Sequence, residues 1–283
     1  MRFTKMQAFG NDYVYIDVIH QKLNNPSELA RFISNRHLGV GADGMVLICP
    51  SDKADFQMRI FNPDGTEAEM CGNALRSVGK YVYDHGLTGK REVVIETLGG
   101  IKFLKLFVDN EKVSNICADI GEPILSVKEI PVYTDLKEFI EQPVEILGDS
   151  LFMTAVSWGN PHCVIYVDSV KEWDVEKYGS EIENKTSLFP NKTNVTFAEL
   201  VNRNYIKIRE WERGTGETIG CGTGCATAVV AGVLTNRCER RVTVEQIGGI
   251  LEIEWDEVTN HLIMVGPSYT VYEGEIFLPL QNK

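Results

Sequence analysis

Three stretches of the chain return in the same order about 150 residues later. "AFGND" at 8–12 resembles "SWGNP" at 157–161, and "RIFNPDGTEAEMCGNA" at 59–74 resembles "REWERGTGETIGCGTG" at 209–224. "IETLGGI" at 95–101 resembles "VEQIGGI" at 244–250. In the longest match Arg59, Phe61, Glu67, Cys71 and Gly72 align with Arg209, Trp211, Glu217, Cys221 and Gly222. Three matches in one order at nearly one spacing mark a duplicated unit, and 283 residues suffice for two domains. The repeat predicts an N-terminal lobe of residues 1–118 plus 268–283 and a C-terminal lobe of 119–267, joined near "DIGEP" (119–123).

Within the first half, "YVYIDV" (13–18) and "GMVLIC" (44–49) read as strands. Between them Asn25 is a candidate cap and Pro26 fits a first turn. Leu29, Phe32 and Ile33 form an apolar stripe, and Gly39 is expected just past the helix end. "FQMRIF" (56–61) alternates as a half-buried strand does. After Cys71 a helix is expected with Leu75, Val78 and Val82 on one face and a stop at Gly86. "REVVIETLGGIKFLKLFV" reads as a hairpin turning at Gly99-Gly100. The second half repeats this with a helix after Cys221 and the hairpin "RVTVEQIGGILEIEW". Strand runs outnumber helices, so the expected class is α+β: two similar, pseudo-twofold-related domains, each a mostly antiparallel sheet or barrel around a central helix. "YTVYEGEIFL" (269–278) has no second-half counterpart and is expected to return to the first domain's sheet.

The net charge of −12 argues against nucleic acid, which wants a basic face. No apolar window reaches the length of a membrane span and no signal-peptide core opens the chain, so a cytoplasmic location without membrane contact is expected. Seven scattered cysteines are an odd number and do not make a disulfide framework, so reduced thiols are expected.

Cys71 and Cys221 hold the same place in the two halves. Each follows an acidic, glycine-bearing loop and opens a helix, where unpaired N–H groups and the positive dipole end lie. Thiolate stabilisation and a lowered pKa are expected at such a place. Gly72, Gly222 and Gly224 allow close approach to the backbone, so a carboxylate has a seat there. If the two domains face each other, the sulfurs converge on one carbon: a thiolate takes a proton from one face and a thiol returns one to the other. Anion binding, a zinc site from Cys71, Cys221, Cys225 and His162, a redox pair and inert packing remain alternatives. The Cys221–Cys225 spacing on a helix suits a zinc knuckle poorly, and "GCGTGCAT" lacks the Lys-Ser/Thr of a phosphate loop. No metal is expected.

"FGND", "FNPDGTEAEMCGNALR", "WGNPHCV", "TNVTF" and "WERGTGETIGCGTG" together resemble the diaminopimelate epimerase family, and the motifs run from residue 9 to residue 224. The resemblance implies a cofactor-independent isomerase of LL- and meso-diaminopimelate, on the route to lysine and cell-wall precursor, often as a homodimer. It places the acid–base pair on Cys71 and Cys221 and the α-carboxylate on the backbone at Gly72-Asn73 and Gly222-Thr223. Asn62, Asn160, Asn194 and Arg213 fall at the distal end of the substrate and Asn11 near the reacting end. His162 and Glu212 are implied as polar partners of the thiols, Glu212 also as a substrate ligand. Some relatives carry glutamine where this chain has Gly44, so that contact is not carried over. Two competing readings are a racemase of another amino acid, such as histidine, on the same thiols, and a two-lobed binding protein that closes on an amino acid without reacting.

Overall fold

The computed structural model describes residues 1–277. By internal contacts the chain divides into one unit of Met1–Ala118 with Gly266–Lys283, and a second of Asp119–Val265.

The first unit runs β1 (Arg2–Ala8), β2 (Asn11–Asp17), α1 (Pro26–Ser34), β3 (Gly44–Cys49), β4 (Phe56–Phe61), β5 (Glu67–Ala68), α2 (Gly72–Asp84), β6 (Glu92–Thr97), β7 (Gly100–Asp109) and β8 (Lys112–Asp119). β2 and β3 are parallel, as are β4 and β6; the pairs β1–β2, β3–β4, β4–β5, β6–β7 and β7–β8 are antiparallel. The second unit runs β9 (Gln142–Ile146), β10 (Asp149–Ser157), β11 (Pro161–Tyr166), α3 (Val175–Glu183), β12 (Asn194–Asn202), β13 (Tyr205–Glu212), β14 (Gly216–Thr218), α4 (Gly222–Leu234), β15 (Arg241–Gln246), β16 (Gly249–Trp255) and β17 (Leu262–Gly266). Its parallel pairs are β11–β12 and β13–β15, the counterparts of those in the first unit, so the repeat in sequence is a repeat in topology.

The last strand, β18 (Tyr269–Glu275), lies antiparallel on β1 as expected; residue 278 of that expectation falls outside the described residues. It does have a counterpart, contrary to the sequence reading. β9 occupies the same edge place against β10. β9 precedes its partner in the chain whereas β18 follows at the end, so a linear comparison at one spacing passes over the pair.

Each unit keeps its central helix, and a second, shorter helix covers the other face of its sheet. Leu75, Val78 and Val82 of α2 pack with Tyr13, Tyr15, Val46, Met58 and Ile60 on one face. Leu29 and Ile33 of α1 pack with Val14, Ile16, Met45 and Leu47 on the other. This is why every residue of β3 is buried and why "GMVLIC" is apolar without alternation. α4 is buried along most of its length, as an all-apolar helix must be. α3 is polar on one side and carries Gly179 in its middle, so its sequence reads weakly as helix. A side chain at Gly179 would strike the Trp211 ring.

Three local expectations shift. Asn25 stands at the N-cap of α1 but at φ 54, where its side chain makes no cap bond and its amide donates to Glu28 Oε2 instead. α1 stops at Ser34, and Gly39 falls five residues later, pressed against the Phe32 and Ile33 carbonyls where no Cβ fits. The β6–β7 hairpin turns at Leu98-Gly99, one residue early, because Thr97 pairs with Gly100.

Candidate active site

In the first unit Cys71 is the N-cap of α2, with extended backbone at φ −142 and ψ 120. Its carbonyl accepts the Leu75 N–H, and its thiol donates to Asn11 Oδ1 at 3.4 Å. The Ala74 and Asn73 N–H groups and the Tyr13 hydroxyl bear on the charge of the sulfur without closing a side-chain cap. Asn11 is fixed by its amide, which donates to Asp43 Oδ2 at 3.0 Å, and Asn73 donates to the same Asn11 oxygen at 3.5 Å. The Asn73 oxygen accepts from the buried Arg76 guanidinium at 2.6 Å. Asn11, Asn73 and Cys71 therefore form one connected group, with Gly72 open beside it: a Cβ there would meet nothing within 4 Å. Asn62 lies in the β4–β5 turn, where its amide donates to Thr66 Oγ1 at 3.0 Å. Gly44 leaves no room for a side chain, because a Cβ would press on the Phe61 carbonyl and the Tyr13 ring.

In the second unit Cys221 is the N-cap of α4 at φ −126 and ψ 112, and is 8% exposed. Its sulfur accepts the Gly224 N–H at 3.4 Å and lies 3.4 Å from Thr223 Oγ1. Its own N–H donates to Gln246 Oε1 at 2.8 Å. Gly222 is the first residue of α4, next to the sulfur. Glu212 accepts from Thr218 Oγ1 at 2.6 Å and bears on the Cys221 charge. Asn194 is committed to structure. Its oxygen accepts the Arg213 N–H at 2.8 Å and its nitrogen donates to the Pro161 carbonyl at 2.9 Å. The exposed Arg213 guanidinium donates to the Asn191 carbonyl at 3.0 Å. Asn160 sits in the β10–β11 turn, where its carbonyl accepts from Trp158 N–H at 3.4 Å.

His162 departs from its expected partner. It is fully buried on β11, and its ring nitrogens face Asn194 Nδ2 and Glu210 Oε1, each at 3.5 Å, rather than a cysteine. The ionisation expectation is also overturned. Burial pushes the Cys71 thiol up despite the Ala74, Tyr13 and Asn73 hydrogen bonds and the Arg76 charge. Burial, joined by the Glu212 and Glu210 carboxylates, pushes Cys221 well above the ordinary thiol range. The helix-start donors exist, but desolvation of a thiolate outweighs them.

Four residues of these sites escaped the sequence reading: Tyr13, Arg76, Glu210 and Gln246. Tyr13 and Arg76 sit inside runs that read as strand and helix, with no motif to single them out. Glu210 had one available signal. It is a charge at an inward position of β13, between buried Ile208 and Glu212 on the same face.

The family model described as diaminopimelate epimerase matches residues 3–125 and 154–271. The diaminopimelate epimerase of Methanococcus maripaludis is 51% identical over 278 residues, covering 98% of this chain and 99% of that protein. The enzyme of the same name from Acetivibrio thermocellus is likewise 51% identical, over 98% of this chain and 99% of its own length. Among solved structures, a PhzF-family phenazine biosynthesis protein of Bacillus anthracis superposes with a TM-score of 0.71 at 18% identity, covering 98% of this chain and 99% of that one. A probable proline racemase from Agrobacterium radiobacter gives 0.67 at 12% identity, over 99% and 94%. At such identities these two establish the fold alone.

Proposed function

The chain belongs to the diaminopimelate epimerase family, and from that premise we propose that it interconverts LL- and meso-diaminopimelate by two-thiol proton transfer at the α-carbon. One observation carries the reading: each unit presents a cysteine as the N-cap of a helix at the same place in the repeat, with first-turn N–H groups around it. One sulfur, as thiolate, takes the α-proton; the C–H bond breaks, an S–H bond forms, and the electron pair stays on carbon. The other, as thiol, delivers its proton to the opposite face, and the centre is inverted. The N–H groups that open α2 and α4 supply donors for the α-carboxylate, where negative charge grows in the transition state. A raised thiol pKa fits the task, because an acid that must give its proton to carbon has to hold it first.

Asn11 and Asn73 form the reacting-end wall around Cys71. At the distal end Asn62, Asn160 and Arg213 are the proposed ligands, and Arg213 offers a fork that matches a carboxylate. Asn194 acts there mainly by fixing the Arg213 backbone. Glu212, held by Thr218, is a carboxylate for an ammonium group or for orienting the Cys221 thiol. The chemistry asks nothing of a metal or pyridoxal cofactor, so activity should survive exhaustive dialysis against a chelator. No helix among the described residues is long and apolar enough to cross a membrane. A cytoplasmic location, a homodimeric state and a place in lysine biosynthesis complete the proposal; fractionation, light scattering and complementation of a lysine auxotroph test them.

The deciding experiment incubates the protein with LL-diaminopimelate in deuterated water. Solvent deuterium at the α-carbon of a meso product supports the reading. Exchange only with a different amino acid would move the substrate, and no exchange with any would leave a binding protein.

A further inference from the structure

The repeat supplies its own control for one cluster in the second unit. Val46 pairs with Ile60 across β3–β4, and Thr196 pairs with Glu210 at the same register across β12–β13. Tyr13 pairs with Gly44 across β2–β3, and His162 pairs with Asn194 across β11–β12. Ala74, in the first turn of α2, is matched by Gly224 in α4. Where one unit places valine, isoleucine and alanine under its helix start, the other places threonine, glutamate and glycine.

The substitutions fit one another. Glu210 is 2% exposed, and its Oε2 accepts from Thr196 Oγ1 at 2.5 Å. The carboxylate lies against the Gly224 Cα so closely that any Cβ at 224 would collide with it. The N–H of that same Gly224 bonds the Cys221 sulfur at 3.4 Å. The remaining oxygen, Oε1, faces His162 Nδ1 at 3.5 Å, and among the described residues neither atom has a hydrogen-bond partner. The Asn194 orientation sets the tautomer. Its oxygen takes the Arg213 N–H, so its nitrogen faces His162 Nε2, which must then accept. That leaves Nδ1 as the ring atom that faces Glu210. The Glu210 carboxylate thus lies under the start of α4. The charges that bear on Cys221 are the Glu212 and Glu210 carboxylates, both on β13, and the uncharged Gln246 of β15 accepts its N–H. Around Cys71 the corresponding charged neighbour is the Arg76 cation.

We propose that Glu210 is a positioning residue for the two-thiol reaction: a buried carboxylate beneath the start of α4 that makes Cys221 hold its proton more tightly than Cys71, so that Cys71 is the first of the two thiols to ionise. The inference deepens the proposed function and rests on it for its meaning, but thiol ionisation can be read without turnover. A like charge beside an ionising group raises its pKa by about one unit or more. Ile60, its counterpart, can do nothing of the kind.

The test is the pH dependence of iodoacetamide alkylation of the whole enzyme, resolved for Cys71, Cys221 and Cys225 by peptide mass spectrometry. Midpoints rather than rates are compared, so unequal access of the reagent drops out. In the wild type Cys71 should ionise at lower pH than Cys221. In Glu210→Gln, which keeps the acceptor for Thr196 and removes the charge, the Cys221 midpoint should fall by about one pH unit. The alkaline limb of the kcat/KM profile should fall with it, and Cys71 should not move. Glu210→Asp, which keeps the charge, should leave the Cys221 midpoint near the wild-type value, an outcome a purely structural role does not predict. A Cys221 midpoint unchanged in a folded Glu210→Gln overturns the proposal. So does a wild-type Cys221 that ionises before Cys71, a result that needs no variant to fold. If no diaminopimelate turns over while the Cys221 midpoint still falls in Glu210→Gln, the charge assignment stands and the reaction assignment fails.

Discussion

Gly224→Ala puts one methyl group against a buried carboxylate. Ala74 holds the matching position in α2, so this helix start accepts alanine as backbone. The nearest atoms to the added Cβ all belong to the Glu210 carboxylate, and that side chain is 2% exposed. To clear the methyl it must leave Thr196 Oγ1, 2.5 Å away, and a hydrogen bond to a charged group contributes about 1.5–3 kcal/mol. Alanine returns about 0.5–1 kcal/mol through its lower chain entropy in a helix. The net expectation is a loss of about 1–2 kcal/mol, or a melting temperature lower by about 3–6 °C for a domain of this size. Urea unfolding of a double-mutant cycle with Glu210→Ile measures it. With isoleucine at 210, as at 60 in the other unit, Gly224→Ala should become neutral or stabilising, because the collision partner has gone. A single Gly224→Ala as stable as the wild type, or a cost that persists unchanged in Glu210→Ile, would refute the reasoning.

Further outcomes follow from the same geometry. Gly72→Ala, where a Cβ meets nothing within 4 Å, should change stability by less than about 0.5 kcal/mol in thermal melts. Asn194→Ala strands the Arg213 N–H and the Pro161 carbonyl, so chemical denaturation should show a loss of about 1–3 kcal/mol, and KM should rise more than kcat falls. Burial pushes the Cys49 and Cys238 thiols up to about 11 and about 12 from an ordinary 9.0. A raised folded pKa gives stability that is complete below the unfolded value and lost as pH climbs above it. Between pH 9 and pH 11 each thiol should therefore cost about 1.4 kcal/mol per pH unit, and Cys238→Ala should flatten the decline by one such share in denaturant titrations.

The duplicated order of elements was legible because Cys71 and Cys221, with their flanking acids and glycines, repeat at one spacing. α2 followed from its apolar face, the first hairpin from its Gly-Gly turn, and α4 and the second hairpin from the repeat. What stayed hidden has a physical reason in each case. α3 must keep Gly179 to admit Trp211, and that glycine weakens the helix signal the sequence presents. β9 and β18 fill the same edge from opposite ends of their units, so similarity at a fixed spacing does not connect them. The thiols' positions could be read from their motifs, but their ionisation could not. A helix start argues for a lowered pKa, and the opposing contribution, burial beside Glu210 and Glu212, exists only once strands and helix are packed. His162 illustrates the same limit, since the family resemblance implied a thiol partner while strand register aims the ring at Glu210 and Asn194.

The two-thiol mechanism stands or falls on one measurement: deuterium entering the α-carbon of LL-diaminopimelate from solvent, followed by mass spectrometry for the wild type, Cys71→Ala and Cys221→Ala. The account predicts one solvent deuterium per inverted product in the wild type and turnover reduced at least about a thousandfold in each variant, with circular dichroism unchanged. Inversion that proceeds at wild-type rate without either sulfur, or that retains the original α-proton in the product, would contradict it.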